Sequence, residues 1–423
     1  MNFPFTIQSS WMIRPVWTEF DVILGKMIQT SPSEGCQFSY PYHKAATVQD
    51  GEIKSPAQGM YASIPEVAKL LLHSGDLLVC EGGDIGRSAI LESEPLCPTI
   101  FQNSIHRVRS KGNYPVEYLK LVLDFYRNSG WIYLFAGKST ISHFTAETFN
   151  ALKIPFPTPE RAKEIVSLAK QLDKETKPLL RQLEKQRELL DEYRQSLITR
   201  AVTKGLDPEL PMKDPELSFV GTIPNHWRVT TLGKLCFSMR NGYVGPTNNL
   251  FKEGGVKYIQ SLHIKNGEIN FNKKEYYVSK EWGDNHPKIY KDNLLIVQTG
   301  DIGQVAVIRE NYDKCNCHAL IICVLNKDLI LPDYLSYYLQ SKPGKTLLLQ
   351  TKTGLGLPHL NTGKVCFTKI LVPPLPEQEK ICNYCRTELS KIRSIEEKIS
   401  AQIARLNEYR TSVISALINE EPR

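Results

Sequence analysis

The chain has 423 residues, of which 41% are hydrophobic and 23% charged, and this length predicts two or more domains. Its formal net charge of +7 permits a polyanionic partner without demonstrating one. No apolar run approaches the roughly 18 residues that a membrane helix needs, and the N-terminus lacks the features of a secretory signal, so we expect a cytoplasmic protein with no membrane role.

The ten cysteines are scattered along the chain rather than arranged as a disulfide framework. Cys382 and Cys385 form a C-x-x-C pair, but it lies in a helix-like stretch with no second pair at zinc-site spacing. We therefore expect mostly buried thiols, no metal and no cofactor.

The first region of the chain is predicted to consist of strands and turns. Apolar residues run from Leu77 to Cys80, and the tetrapeptide GDIG follows at 83–86. Glycines that flank an aspartate in this way are typical of a tight turn between two strands. We therefore expect Asp84 to bond to nearby backbone amides rather than to act in catalysis, while the amides and Arg87 could still reach a phosphate.

A long helix is predicted from Pro159 to about Thr203. After a proline cluster the sequence loses glycine and becomes rich in Leu, Ile, Glu, Lys, Arg and Gln, most of which favour helices. A proline followed by acidic residues also suits a helix start. Pro178 lies inside this stretch, and we expect it to kink or split the helix.

The second half of the chain repeats the first. Matched residues occur at an offset of 216 or 217 along the whole length: Trp11 and Trp227, Asp84 and Asp301, His143 and His359, and Tyr193 and Tyr409. This period is far longer than that of a solenoid repeat, so it predicts tandem duplication of a whole domain with its helix. The triplet LGK lies farther from Trp11 than from Trp227, which predicts about eight extra residues in the first copy.

A second long helix is predicted from Pro376 to about Asn419, and both helices carry a heptad pattern. The seam comprises Leu183, Leu190 and Leu197 in the first helix and Ile392, Ile399, Leu406 and Val413 in the second, with Ala169, Thr176 and Cys385 in the same register. A helix of about 45 residues spans roughly 65 Å and cannot bury such a stripe alone. We expect the two helices to pack on each other; packing of each on its own domain is the alternative.

These features predict an α+β protein. It would contain two tandem-duplicated globular mixed α/β domains, residues 1–157 and 219–374, each followed by a long helix, residues 158–203 and 375–420, with a linker at 204–218.

Catalytic motifs are missing from both copies. The GK[ST] triplets at 137–139 and 344–346 lack the preceding glycine of a phosphate-binding loop, and no Asn-Pro-Pro-aromatic or Asp-Pro-Pro-aromatic tetrad of an amino-methyltransferase occurs. A binding protein is therefore favoured. The alternatives are an enzyme with an unrecognised nuclease or methyltransferase activity, and a coiled-coil interaction protein that binds no nucleic acid.

Three stretches carry a family resemblance: the linker TKGLDPELPMKDPELSFVGTIPNHW at 203–227, the helix start LPEQEKI at 375–381 and the repeated GDIG turn. Over essentially its full length the chain resembles the specificity subunit of type I restriction-modification systems. The resemblance implies that each globular domain is a target recognition domain that reads one half of a bipartite, asymmetric sequence in double-stranded DNA.

The resemblance also implies that the two helices pair as an antiparallel coiled coil and set the length of the DNA spacer. They would dock two methyltransferase subunits, to which restriction subunits add, and the chain itself would have no catalysis. From polar and basic loops we expect DNA contacts at Arg87, Lys138, Ser139, His143, Arg240, Asn241, Tyr243, Gln304, Lys352, Thr353 and His359.

Overall fold

The structure is a computed structural model that describes residues 10–135, 144–217, 219–247, 249–272, 274–354 and 358–419. The described residues up to Leu183, together with those from Ala401 onward, form unit 1, and Glu184–Ser400 form unit 2. Each of the two long helices therefore contributes to both units.

Unit 1 is a mixed α/β unit. Its strands are β1 (Met12–Pro15), β2 (Phe20–Leu24), β3 (Phe38–His43), β4 (Ala57–Ala62), β5 (Leu77–Cys80), β6 (Ser88–Ile90), β7 (Ile100–Phe101), β8 (Ile105–Ser110) and β9 (Lys153–Phe156). Its helices are α1 (Ile64–Leu70), α2 (Val116–Asn128), α3 (Trp131–Phe135), α4 (Ala146–Ala151) and the first part of α5 (Pro159–Lys204). The main sheet has the order β2-β8-β5-β6, a second sheet has the order β4-β3-β7, and β1 pairs with β9.

Unit 2 has more strands. They are β10 (Met212–Lys213), β11 (Ile223–Pro224), β12 (Arg228–Thr231), β13 (Cys236–Asn241), β14 (Val256–Ile259), β15 (Ile264–Lys265), β16 (Glu268–Ile269), β17 (Tyr277–Val278), β18 (Leu294–Val297), β19 (Val305–Val307), β20 (Asn316–Cys317), β21 (Leu320–Leu325), β22 (Lys352–Thr353), β23 (His359–Leu360) and β24 (Lys369–Val372). Its helices are α6 (Lys280–Asp284), α7 (Pro332–Gln340), α8 (Lys342–Leu349), α9 (Thr362–Val365) and part of α10 (Leu375–Asn419). The main sheet has the order β13-β21-β18-β19, and β17-β14-β20 and β12-β24 form two smaller sheets.

The two units repeat one topology, which confirms the predicted duplication. The four-stranded, three-stranded and two-stranded sheets of unit 1 each have a counterpart of the same strand order in unit 2. The predicted eight-residue insertion is wrong, because β2 and β13 begin at the same distance from Trp11 and Trp227. The two LGK triplets are not equivalent: the first begins at the end of β2, whereas the second lies in a 3-10 helix before β13.

Both faces of each main sheet are buried. In unit 2, Leu294 and Ile296 of β18 belong to one hydrophobic core, whereas Leu295 and Val297 belong to a second core. Successive side chains of a strand point to opposite faces, so a strand covered on both sides is apolar at every position. This explains why the repeated segment reads as a continuous apolar run.

The two long helices pack against each other within each unit. In unit 1, Ile165 near the start of α5 shares a core with Ile418 near the end of α10, and Asp173 pairs with Arg410. In unit 2, Leu197 near the end of α5 shares a core with Ile381 near the start of α10. The predicted antiparallel pairing is therefore confirmed. The same cores include the sheets, so each helix packs both on its partner helix and on a globular domain.

The predicted seam positions have different degrees of exposure. Ala169, Thr176, Leu197, Cys385, Ile392 and Ile399 are buried, and Leu183, Leu190, Leu406 and Val413 are half-buried. None of the helices among the described residues combines the length and apolar character that a membrane crossing requires.

The helix α5 is not split at Pro178, contrary to one of the two outcomes expected from the sequence. It runs from Pro159 to Lys204 with the proline inside it. Pro178 and Lys174 are both exposed, so water can bond the Lys174 carbonyl that loses its helical donor. Packing of the opposite, apolar side then maintains the helix on both sides of the proline.

The start of α10 is tied to the rest of unit 2 by a buried glutamine. The Gln378 side chain is fully buried, and its Nε2 donates to the carbonyls of Leu329 at 3.1 Å and Pro373 at 2.9 Å. Its Oε1 accepts from the Leu331 amide at 2.8 Å. The glutamine of the LPEQEKI stretch thus satisfies three backbone groups, two of them partly buried and one, the Pro373 carbonyl, buried.

We predict that Gln378→Leu lowers the free energy of unfolding by about 2–4 kcal/mol, because it leaves these backbone groups unpaired. Chemical denaturation of the full-length chain measures the effect. The control is Gln402→Leu at an exposed position of the same helix, for which we expect a change within about 0.5 kcal/mol. Equal effects of the two substitutions would contradict this role of Gln378.

Candidate nucleic-acid interface

In unit 2, strands β13 and β18 end at the same edge of the main sheet. Both are antiparallel to β21, which lies between them, so their carboxyl ends lie side by side. We call residues 241–243, which end and follow β13, and residues 298–304, which follow β18, the carboxyl edge of unit 2. The GDIG turn at 300–303 belongs to this edge.

The strand pair β22–β23 is attached to the carboxyl edge. The Leu360 amide donates to the Gln298 carbonyl at 3.1 Å, and Gln298 Nε2 donates to the Leu360 carbonyl at 3.3 Å. Gln298 Nε2 also donates to Asn241 Oδ1 at 3.1 Å, and Thr362 Oγ1 donates to the same oxygen at 2.6 Å. These bonds connect β13, the segment after β18 and the β22–β23 pair.

Besides Gln304, which belongs to the carboxyl edge, six predicted DNA-contact residues of unit 2 are brought to this region although they are up to about 120 residues apart. They are Arg240, Asn241, Tyr243, Lys352, Thr353 and His359. Arg240, Asn241, Lys352 and His359 are exposed, and Tyr243 and Thr353 are half-buried. Arg240 and Asn241 belong to β13 and not to a loop as expected, because they continue its pairing with β21. The Arg240 Nη2 donates to the Lys288 carbonyl at 2.8 Å.

Tyr243 lies against an aromatic cluster that the sequence does not predict. Its ring is edge-on to Trp282 at 5.0 Å and to His286 at 5.2 Å between centroids, and these two rings stack at 3.7 Å. His318 lies 6.3 Å from Tyr243, and burial lowers the pKa of its imidazole. No short motif connects these residues, so only the fold reveals the cluster.

The GDIG segments are tight turns in both units, as expected from their glycines. All four glycines have a positive φ, namely Gly83, Gly86, Gly300 and Gly303. At Gly86 an added Cβ would also lie 2.3 Å from Ile132 Cδ1, so the Ile132 side chain would have to shift to admit any other residue.

In the described part of the chain no backbone amide donates to the Asp84 carboxylate, so this expectation is wrong. Arg127 Nε donates to its Oδ1 at 3.0 Å, and the Tyr133 hydroxyl donates to the same oxygen at 3.3 Å. The charged guanidinium of Arg127 is a stronger donor than a neutral amide.

Arg87 and Gln304, the residues after the two GDIG turns, bond within their own units. Arg87 Nη2 donates to the Ala45 carbonyl at 2.8 Å, and Arg87 Nη1 lies 3.7 Å from Asp84 Oδ2. Gln304 Nε2 donates to Asp301 Oδ2 at 3.1 Å. A DNA phosphate would have to compete with these partners.

Unit 1 has the equivalent edge after β2 and β5. Phe144 is anchored there, since its amide donates to the Glu81 carbonyl at 2.9 Å. The predicted contact residues Lys138, Ser139 and His143 lie outside the described residues.

The two cysteines of the C-x-x-C pair are buried thiols. All ten cysteines of the chain are free, and burial raises the pKa of the Cys382 and Cys385 thiols to about 12, so both are protonated at neutral pH. Among the described residues, no group of three or more His, Cys, Asp or Glu side chains is placed to hold a metal ion.

Comparisons with known proteins agree with the duplicated fold. A family model described as the type I restriction modification DNA specificity domain matches residues 20–188 and again residues 224–405. The EcoBI specificity subunit of Escherichia coli, a type I restriction enzyme component, is 24% identical over 291 residues, which cover 67% of this chain and 61% of that protein. The MjaVIII specificity subunit of Methanocaldococcus jannaschii is 21% identical over 405 residues, covering 94% and 90% of the two chains.

A solved chain of a type I R-M system, from a study of complex assembly and conformational transition, has a similar fold. Its TM-score is 0.66 at 16% sequence identity, and the match covers 98% of this chain and 99% of that chain. The family model matches each copy of the duplication separately, and the two matches together cover most of the sequence. The chain therefore belongs to the type I restriction-modification DNA specificity family.

Proposed function

We propose that this chain is the DNA-specificity subunit of a type I restriction-modification complex. The observation that carries the proposal is the separate match of the family model to residues 20–188 and 224–405. Two specificity domains in one chain, with different sequences, suit a bipartite and asymmetric target in double-stranded DNA. Each unit reads one half-site, and joining the two readers raises the effective concentration of the second once the first is bound.

The surface on which unit 2 contacts DNA consists of the carboxyl edge, the neighbouring Arg240 and the attached β22–β23 pair. Arg240 and Lys352 provide exposed positive charges for phosphates, and Tyr243, Thr353 and His359 provide polar groups for base edges in a groove. Asn241 and Gln304 complete this surface. In unit 1 the corresponding contacts come from Arg87, Lys138, Ser139 and His143.

The paired helices α5 and α10 determine the spacer between the two half-sites and provide the docking surfaces for other subunits. These partners are two methyltransferase subunits, which bind the helices, and restriction subunits that add to them. The chain supplies recognition, and its partners supply the chemistry, because neither copy carries a catalytic motif.

The division of labour predicts that the purified full-length chain transfers no methyl group from S-adenosylmethionine to DNA. When the methyltransferase subunits of the same system are added, we expect methyl transfer at one defined sequence. Incorporation of labelled methyl groups into a mixed DNA substrate measures both reactions. Methyl transfer by the chain alone would contradict a noncatalytic role and favour an enzyme with an unrecognised active site.

We predict that the double substitution Arg240→Ala and Lys352→Ala weakens DNA binding about tenfold at physiological salt. The slope of the logarithm of the binding constant against the logarithm of the salt concentration should also become shallower, by the amount that about two phosphate contacts contribute. Fluorescence anisotropy over a range of salt concentrations measures both quantities.

The control is Lys327→Ala, because Lys327 follows β21 at the opposite edge of the same sheet and pairs with Asp292. We expect this variant to bind as the unsubstituted chain does. If the double variant and the control bind DNA with equal affinity, Arg240 and Lys352 do not belong to the interface.

A further inference from the structure

The β22–β23 pair cannot hold its position by itself. It consists of two residues on each strand, with the register Lys352 to Leu360 and Thr353 to His359. An isolated two-stranded ribbon is at best marginally stable in water, and this one is very short. Its position therefore depends on the rest of unit 2, where Leu360 is buried in the hydrophobic core and hydrogen bonds connect the pair to the main sheet.

Gln298 makes these bonds from a nearly buried position. Its side chain is only 9% exposed, and its Nε2 donates both to the Leu360 carbonyl and to Asn241 Oδ1. The Gln298 carbonyl accepts from the Leu360 amide, so side chain and backbone both hold the end of β23. The side chain of Gln298 thus links β23 to the end of β13.

In unit 1 a different side chain bonds to the backbone carbonyl that corresponds to that of Leu360. Phe144 is the counterpart of Leu360 at an offset of 216 residues, and its carbonyl accepts from His106 Nε2 at 2.6 Å. His106 is fully buried and belongs to β8, the central strand next to β5. Burial lowers the pKa of His106 to about 4, so the ring is neutral and donates from Nε2. In both units a buried side chain therefore anchors the same backbone carbonyl.

We propose that Gln298 is a positioning residue for DNA recognition by unit 2, and that it holds the β22–β23 pair on the carboxyl edge. In unit 1, His106 anchors the equivalent carbonyl, that of Phe144. Neither side chain reads a base. Gln298 sets the position of a segment whose exposed residues, Lys352 and His359, reach the DNA. This inference rests on the proposed function.

The test uses the full-length chain with its methyltransferase subunits and a DNA library in which each half-site is randomised separately. Gln298→Glu keeps the size of the side chain but removes the N–H that donates to Leu360 and Asn241. We expect discrimination at one half-site to fall about tenfold while discrimination at the other half-site is unchanged. His106→Leu is expected to affect the opposite half-site.

The matched control is Gln340→Glu in α7, where Nε2 donates to the Ser336 carbonyl at 3.1 Å within the same helix. This variant should discriminate at both half-sites as the unsubstituted chain does. Thermal unfolding of each variant is measured in parallel. Full discrimination by Gln298→Glu, or an equal loss at both half-sites, would overturn the positioning role.

A second variant keeps the test decisive if Gln298→Glu does not fold. Gln298→Met keeps the length of the side chain and removes the N–H that donates to Leu360 and Asn241, without burying a charge. We expect a loss of about threefold at the same half-site. Unchanged discrimination in this variant would overturn the inference. Absence of sequence-specific binding by the unsubstituted chain would instead overturn the proposed function.

Discussion

The constraint on which this structure depends is that two helices of about 45 residues each have an apolar stripe to bury. Antiparallel packing meets this requirement, and each unit therefore contains the start of one helix and the end of the other. Ile414, Leu417 and Ile418 near the end of the chain pack on the hydrophobic core of unit 1, whose sheets come from the beginning of the chain. The folding of unit 1 is thus coupled to residues more than 200 positions away, whereas a simple tandem array would keep each domain local in sequence.

Duplication followed by divergence explains which features the two units share and which they do not. The doubly buried strands, the GDIG turns and the anchored carbonyl at Phe144 or Leu360 occur in both units, because each supports the same main sheet. Equivalent positions at the sheet edge differ: Glu81 corresponds to Gln298, and Arg87 corresponds to Gln304. A shared scaffold with different edge residues is what two readers of unlike half-sites require.

The features that the sequence predicts well are local or periodic. The repeat is visible by its constant offset, the helices by their heptads and loss of glycine, and the GDIG turns by their glycines. The carboxyl edge and the attached β22–β23 pair combine residues from three distant segments. The cluster of Tyr243, Trp282 and His286 follows no regular sequence spacing, so the sequence does not predict it. The partner of Asp84 is not predicted from the sequence, because Arg127 belongs to a helix 43 residues later. The two LGK triplets indicate a false insertion, because the same three residues begin at a strand end in unit 1 but lie in a 3-10 helix in unit 2.

The central claim is that two units of one chain read the two halves of a split DNA sequence. A genome-wide map of methylated bases in the source organism, with and without the gene, tests it most directly. We predict loss of methylation at a single asymmetric motif with two specified parts and an unspecified spacer, and its return when the gene is restored. Loss of methylation at a continuous motif without a spacer would show that the two units do not read a split sequence, as would an identical map in a strain whose methyltransferase subunits are shown to be active.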